Sequence, residues 1–306
     1  MKLAIVFPGQ GSQTLGMLAD LAAEFNSIVT TFAEASTIVG YDLWDLAQHG
    51  GAKFEQTEYV QPLLLTADIA VWRLWREQGG ATPSFLAGHS LGEYAALVGA
   101  EALDFADALR LVAKRGRLMQ SAVPQGSGAM LAIVGLDNAK VGEICKVAAQ
   151  GEVLAIANYN SIGQIVIAGT ATACVRAQQL AETSGAKIAK LLAVSVPSHC
   201  ELMKPAAQRF QEDLAEIKIN SPKIPVIQNA DVGIFDDEDK IREALVLQLY
   251  SPVRWVETIL FMVKQGVSCV LECGPGKILT GLNKRISQNL TAEFLGTAGK
   301  FKEIIN

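Results

Sequence analysis

Histidine and cysteine are both scarce in this chain, with three and five copies among 306 residues. The cysteines, at 145, 174, 200, 269 and 273, are odd in number, and none forms a Cys-x-x-Cys pair. That excludes a zinc site of the usual spacing and a fully paired disulfide framework, and it fits a reduced, intracellular protein. No apolar run approaches the roughly 18 residues of a membrane span. Residues 1–7 hold an apolar stretch that Pro8 and Gly9 cut short, too brief for a secretory signal core. The expectation is therefore a cytoplasmic protein with no membrane and no metal. Charge of one sign is also lacking in bulk. The net charge is −5 and the pI about 5.4, with no basic block, so no nucleic-acid partner is expected. Repeats and low-complexity tracts are absent.

What is present is apolar: half the residues are hydrophobic, ample for a core in a chain of this length. Short apolar runs alternate with helical patterns, which indicates an α/β protein with a largely parallel sheet. Candidate strands lie at 3–7, 85–88, 225–228 and 269–272, each bounded by Gly, Pro or Asn. The stretch 60–75 is apolar on nearly every side and predicts a buried helix. Residues 128–194 read differently, as strand 129–134, helix 138–149, strands 153–158 and 164–168, helix 171–183 and strand 188–194. That βαββαβ order is the split arrangement of a ferredoxin-like unit. It predicts a small subdomain at 126–195 inserted into a large one made of 1–125 and 196–306. Residues after about 296 read as a solvated tail.

Gly88-His89-Ser90-Leu91-Gly92 is a G-x-S-x-G sequence placed after an apolar strand and before a helix, the setting of a nucleophile elbow. Such a turn exposes the serine Oγ at a helix N-terminus, beside a Leu91 N–H able to serve a developing oxyanion. Ser90 and Glu93 also fit a capping box, so Ser90 could equally cap a helix. Three histidines allow the base to be sought by elimination. His89 adjoins Ser90 and points away from it, as a structural hydrogen-bonding group. His49 ends a short helix beside two glycines. His199 remains, and Ser198 with Glu201 forms another capping-box pattern that predicts His199 in the first turn of a helix, where the dipole would keep imidazole neutral. The plain alternative is a solvated histidine at a helix start. Cys200 reads as a small buried filler.

The helix predicted at 105–120 carries Arg115 on its apolar stripe, with Arg110, Lys114 and Arg117 on the opposite face. A guanidinium turned toward a core needs a partner. That partner is either an internal carboxylate or the carboxylate of a substrate, which arginine grips bidentately. An acyl group with its own free carboxylate, malonyl above all, would require the second.

Phe7-Pro8-Gly9-Gln10-Gly11-Ser12-Gln13, Gly88-His89-Ser90-Leu91-Gly92-Glu93-Tyr94, Lys114-Arg115-Gly116, Val196-Pro197-Ser198-His199 and Gly274-Pro275-Gly276-Lys277 occur in that order. As a set they resemble the malonyl-CoA:acyl-carrier-protein transacylases, of the stand-alone bacterial type, across nearly the whole chain. The resemblance implies an α/β-hydrolase-like large subdomain with a ferredoxin-like insert, malonyl-CoA as substrate with no bound cofactor, and an acyl carrier protein as partner. A monomer is compatible with it. It implies Ser90 as nucleophile, His199 as base, Gln10 and Leu91 as backbone oxyanion donors, and Arg115 as the malonyl clamp. It further implies a Gln248 carbonyl that orients His199, with Met119 and Asn160 lining the pocket. Lys187, Lys190, Lys284 and Arg285 are candidates for a basic face toward an acidic carrier. The rival enzyme is a hydrolase with a Ser–His–acid triad. A carrier-docking module with a vestigial elbow is the non-enzymatic one.

Overall fold

The computed structural model describes residues 2–194 and 196–305. Ser195, in the segment leading to the Val196-Pro197-Ser198-His199 motif, lies outside them. The described strands are β1 Leu3–Phe7, β2 Phe85–Gly88, β3 Gly128–Val134, β4 Leu154–Ser161, β5 Gln164–Thr170, β6 Ile188–Leu191, β7 Val226–Ile227, β8 Cys269–Glu272 and β9 Thr291–Phe294. They form two sheets. One is parallel, in the order β7-β2-β1-β8-β9. The other is antiparallel, in the order β4-β5-β3-β6, with helices Asn138–Ala149 and Ala171–Thr183 packed on it. The fold is thus α/β with a parallel main sheet and a ferredoxin-like unit of βαββαβ order.

Parallel strands covered on both faces must be apolar throughout. β1, β2 and β8 obey this rule, with nearly every side chain buried. The helix Thr57–Glu77 is buried along most of its length, as its apolar circumference predicts. β1, β2, β7 and β8 all run in one direction, so the loops carrying Gln10, Ser90, Asn229 and Gly274 leave the same sheet edge. That carboxyl edge is where open α/β sheets build their sites.

The small sheet is tied to the large one through main chain. Tyr159 N donates to Val253 O at 3.0 Å, and Val253 N donates to Ala157 O at 2.9 Å. These bonds extend the β4 edge into the segment before helix Trp255–Lys264.

Two expectations are corrected here. The residues after 296 are not a solvated tail. Ala298–Ile305 is a helix with Ala298 and Phe301 buried. The Phe301 ring meets Phe25 at 5.6 Å and Trp75 at 6.4 Å between centroids. Those partners lie far back in the sequence, so a local pattern could not reveal the docking. Truncating Phe301, which is fully buried, to alanine should cost about 3 kcal/mol, read as a lowered urea midpoint with unchanged slope. The second correction concerns His199. It lies in a turn at φ 63°, ahead of a short 3₁₀ turn, Glu201–Met203, and helix Lys204–Ala215. The predicted Ser198–Glu201 capping box does not form: Cys200 is the residue at the cap, and its side chain makes no capping bond. The helix-dipole account of a neutral imidazole therefore fails, and another cause must supply it.

Candidate active site

The elbow is built by close approach. A Cβ on Gly88 would stand 1.8 Å from the Gly92 carbonyl carbon, and one on Gly92 would stand 2.1 Å from the Phe7 carbonyl oxygen. Only glycine fits at either place, and between them Ser90 is held at φ 53°, a left-handed conformation that costs energy for a residue with a side chain. Asn229 holds it there. Its Oδ1 accepts from Ser90 N at 2.7 Å, its Nδ2 donates to Gly88 O at 2.7 Å, and its own N–H donates to Glu93 Oε2 at 2.7 Å. Glu93 thus serves the Asn229 backbone rather than a capping box, and burial pushes its carboxyl up to about 8.

Ser90 Oγ lies 2.8 Å from His199 Nε2, and His199 Nδ1 lies 2.8 Å from the main-chain oxygen of Gln248. A carbonyl can only accept, so Nδ1 carries the proton and Nε2 presents its lone pair to the serine hydroxyl. Among the described residues neither ring nitrogen bonds a carboxylate, and Nδ1 is held by a main-chain carbonyl where a hydrolase triad would place an acid. His199 is buried, 3 % exposed. Burial first, and then the charge of Arg115, lower its pKa to about 3. Desolvation and a neighbouring cation, not a helix dipole, keep this imidazole neutral.

The sign of the pH effect follows. With a folded pKa below the free value of roughly 6.5, the free enzyme keeps its base unprotonated well below neutrality. Kcat/KM, which reports the free enzyme, should therefore show no inflection near pH 6.5. In Arg115→Gln, with the cation gone, an acid limb should move up toward that value. Folding stability shares the sign. The unfolded chain takes up this proton first, so His199's contribution is full above about 6.5 and declines as pH falls toward about 3.

Arg115 is 2 % exposed and has no internal acid within ion-pair distance among the described residues. Its Nη1 donates to Gln61 Oε1 at 2.8 Å and its Nη2 to Gln248 Oε1 at 2.9 Å, with Ser90 Oγ at 3.4 Å from Nη2. The Tyr94 ring lies 5.5 Å from Cζ. Of the two partners left open by the sequence, the internal carboxylate is thus not present. Two neutral amides aim an uncompensated charge at the nucleophile. Gln248 also donates from Nε2 to Ser90 O at 2.9 Å, so one residue touches serine, histidine and arginine.

Ser90, His199, Arg115 and Gln61 face one cavity of about 170 Å³, which Gln10, Leu91, Met119 and Asn160 also line, and Gln248 stands behind it, bonded to the first three. The backbone N–H groups of Gln10 and Leu91 make no hydrogen bond within the described residues. Asn160 Oδ1 stands 2.8 Å from His89 Nε2, and His89 packs edge-on against Trp255. Met119 Sδ accepts a long contact, 3.7 Å, from Gln61 Nε2. The residues nominated from the sequence for catalysis, the oxyanion and the acyl pocket thus lie together, while Gln61, Asn229 and Glu93 were not nominated for a role there. Gln61 is one of the few polar residues in the apolar stretch 60–75, which also holds Thr66, Asp68 and Arg73, so composition alone did not single it out. Asn229 follows a two-residue strand and carries no signal either.

A neutral imidazole on a strained serine, at the carboxyl edge of a parallel sheet, defines a serine-nucleophile acyl-transfer enzyme. Residues 4–298 match the family model described as the acyl transferase domain, and the chain belongs to that family, among its malonyl-CoA–acyl carrier protein transacylases. It is 54% identical over 295 residues to the malonyl CoA-acyl carrier protein transacylase of Escherichia coli (strain K12), covering 96% of each chain. To the Bacillus subtilis protein of that name it is 45% identical, covering 94% of this chain and 92% of the relative. Two solved structures share the fold. One is an acyl carrier protein S-malonyltransferase from Vibrio cholerae, with TM-score 0.96, 52% identity and coverage of 99% and 100%. The other is a malonyl-transacylase in complex with its type II polyketide acyl-carrier protein, with TM-score 0.98, 52% identity and coverage of 100% and 99%.

Proposed function

We propose that this protein transfers a malonyl group from malonyl-CoA to the phosphopantetheine thiol of an acyl carrier protein, as in fatty-acid biosynthesis, through a malonyl-serine at Ser90. The observation that carries the reading is Arg115: a buried guanidinium with no ion-paired acid among the described residues, 3.4 Å from the nucleophile. A substrate carboxylate would complete it, and malonyl brings one.

In the first half-reaction His199 Nε2 takes the Ser90 proton as Oγ attacks the thioester carbonyl. The oxyanion forms against the Gln10 and Leu91 N–H groups, each worth roughly 3 kcal/mol of barrier. The C–S bond then breaks, and His199 returns the proton to the departing thiolate. In the second half-reaction the carrier thiol gives its proton to His199 and attacks the malonyl-serine, and the serine oxygen leaves with that proton. Met119 and Asn160 shape the pocket around the acyl chain. Arg115 holds the malonyl carboxylate away from Oγ in both halves. No resident cofactor takes part.

The subdomain division is proposed as 126–195 within 1–125 and 196–306. Arg285 Nη1 bonds Gln164 Oε1 at 2.9 Å at the start of β5, and Gln164, Val134 and Ile188 are successive partners across the small sheet. Lys187 and Arg285 thus belong to one rim, which would receive the acidic carrier together with Lys190 and Lys284.

Intact-mass measurement after exposure to malonyl-, methylmalonyl- and acetyl-CoA tests the reading. The expected result is a stoichiometric malonyl adduct that a carrier protein discharges. Rapid release of free malonate without carrier would favour hydrolysis and sink it.

A further inference from the structure

On the far side of the helix Phe105–Ser121 from Arg115 lies a second concavity, of about 450 Å³, that the transfer reaction does not use. Tyr41 and Tyr59 pack edge to face in it, with centroids 5.3 Å apart. Four cations line it, Lys53, Arg110, Lys114 and Arg117, against one carboxylate, Glu58. Arg110 and Lys114 are answered by Asp107 and Asp213. Lys53 and Arg117 enter no ion pair among the described residues. The Lys53 ammonium rests 5.0 Å from the Tyr41 centroid and 4.9 Å from that of Tyr59. The Tyr41 hydroxyl is buried and has no hydrogen-bond partner among the described residues. On a chain of net charge −5, cations gathered in one aromatic-walled hollow are not the average of the surface.

The lining selects among ligands. An apolar molecule would use the rings and leave the cations desolvated, at a cost. A bare anion would use the cations and waste the rings. A planar base carrying phosphates satisfies both, by stacking on tyrosine and by charge-assisted bonds to arginine and lysine. We propose that this cleft is a nucleotide site, with the base against Tyr41 and Tyr59 and the phosphates on Lys53 and Arg117. Lys53 projects from the short 3₁₀ turn Ala52–Glu55, and its ammonium moves from the ring faces to the phosphates as the base enters. Free nucleotides and the nucleotide end of coenzyme A share this chemistry.

Calorimetry on the full chain with ADP, pyrophosphate and adenosine tests the assignment. ADP should bind more tightly than either fragment. Lys53→Glu and Arg117→Glu should each weaken it by about tenfold or more, while malonyl-serine formation stays at the parent rate and certifies the fold. Coenzyme A separates the sources. Two equivalents per chain, falling to one in Arg117→Glu, would place the nucleotide end of coenzyme A in the cleft. One equivalent, unchanged in that variant, would leave it to free nucleotides. No ADP binding at millimolar concentration, ADP binding no tighter than pyrophosphate, or binding indifferent to both substitutions would overturn the proposal.

Discussion

Replacing Ser90 with alanine leaves a protein that binds malonyl-CoA and gains no mass from it. No other hydroxyl or thiol in the cavity can substitute. Ser198 and Thr57 also line the wall, but neither stands on the glycine-framed turn that sets Ser90 at φ 53° beside the Leu91 N–H. Cys200 is buried, with its thiol on Pro197 O and burial raising its pKa to about 12. Loss of a nucleophile in a serine–histidine unit costs on the order of 10⁶ in turnover, so transfer should fall to background. Retained folding is checked by an unchanged urea midpoint. An adduct of full stoichiometry in Ser90→Ala, wherever it mapped, would end the assignment of the nucleophile. His199→Ala should be comparably inactive, because the two groups act as one unit and their losses do not add.

The second large effect is one of selectivity. In Arg115→Ala, malonyl transfer should drop by roughly two to four orders of magnitude. That corresponds to the about 3–5 kcal/mol at stake when one member of a buried ion pair is removed. Acetyl transfer should fall little or rise, because acetyl offers the guanidinium no carboxylate and the variant no longer buries an unanswered charge. Arg115→Lys should recover little. An ammonium cannot reproduce the fork that Gln61 and Gln248 hold in place. Steady-state rates with both acyl-CoA substrates decide it, and equal losses for malonyl and acetyl would refute the clamp.

Much of this was legible in the order of residues because the relevant physics is local. β1, β2 and β8 are short apolar runs closed by Gly or Pro, and their ends fall where composition puts them. The elbow is visible because its glycines are sterically compulsory. Arg115 stands out because its neighbours at helical spacing are apolar. What stayed hidden depends on remote partners. The reason His199 is neutral is burial beneath segments from elsewhere in the chain, so a capping pattern suggested the wrong cause. Asn229 stabilises Ser90 across 139 positions of sequence. β9, the edge strand Thr291–Phe294, is four residues with one buried side chain, too little pattern to read. The helix Ala298–Ile305 announces itself only once Phe25 and Trp75 are in place.

The main-chain bonds between Ala157, Tyr159 and Val253 bear on how an acyl group gets in and out. They fasten β4, which carries the cavity-lining Asn158 and Asn160, to the segment that runs from Asn229 to helix Trp255–Lys264, so an acyl group enters beside two walls whose main chains are bonded to each other.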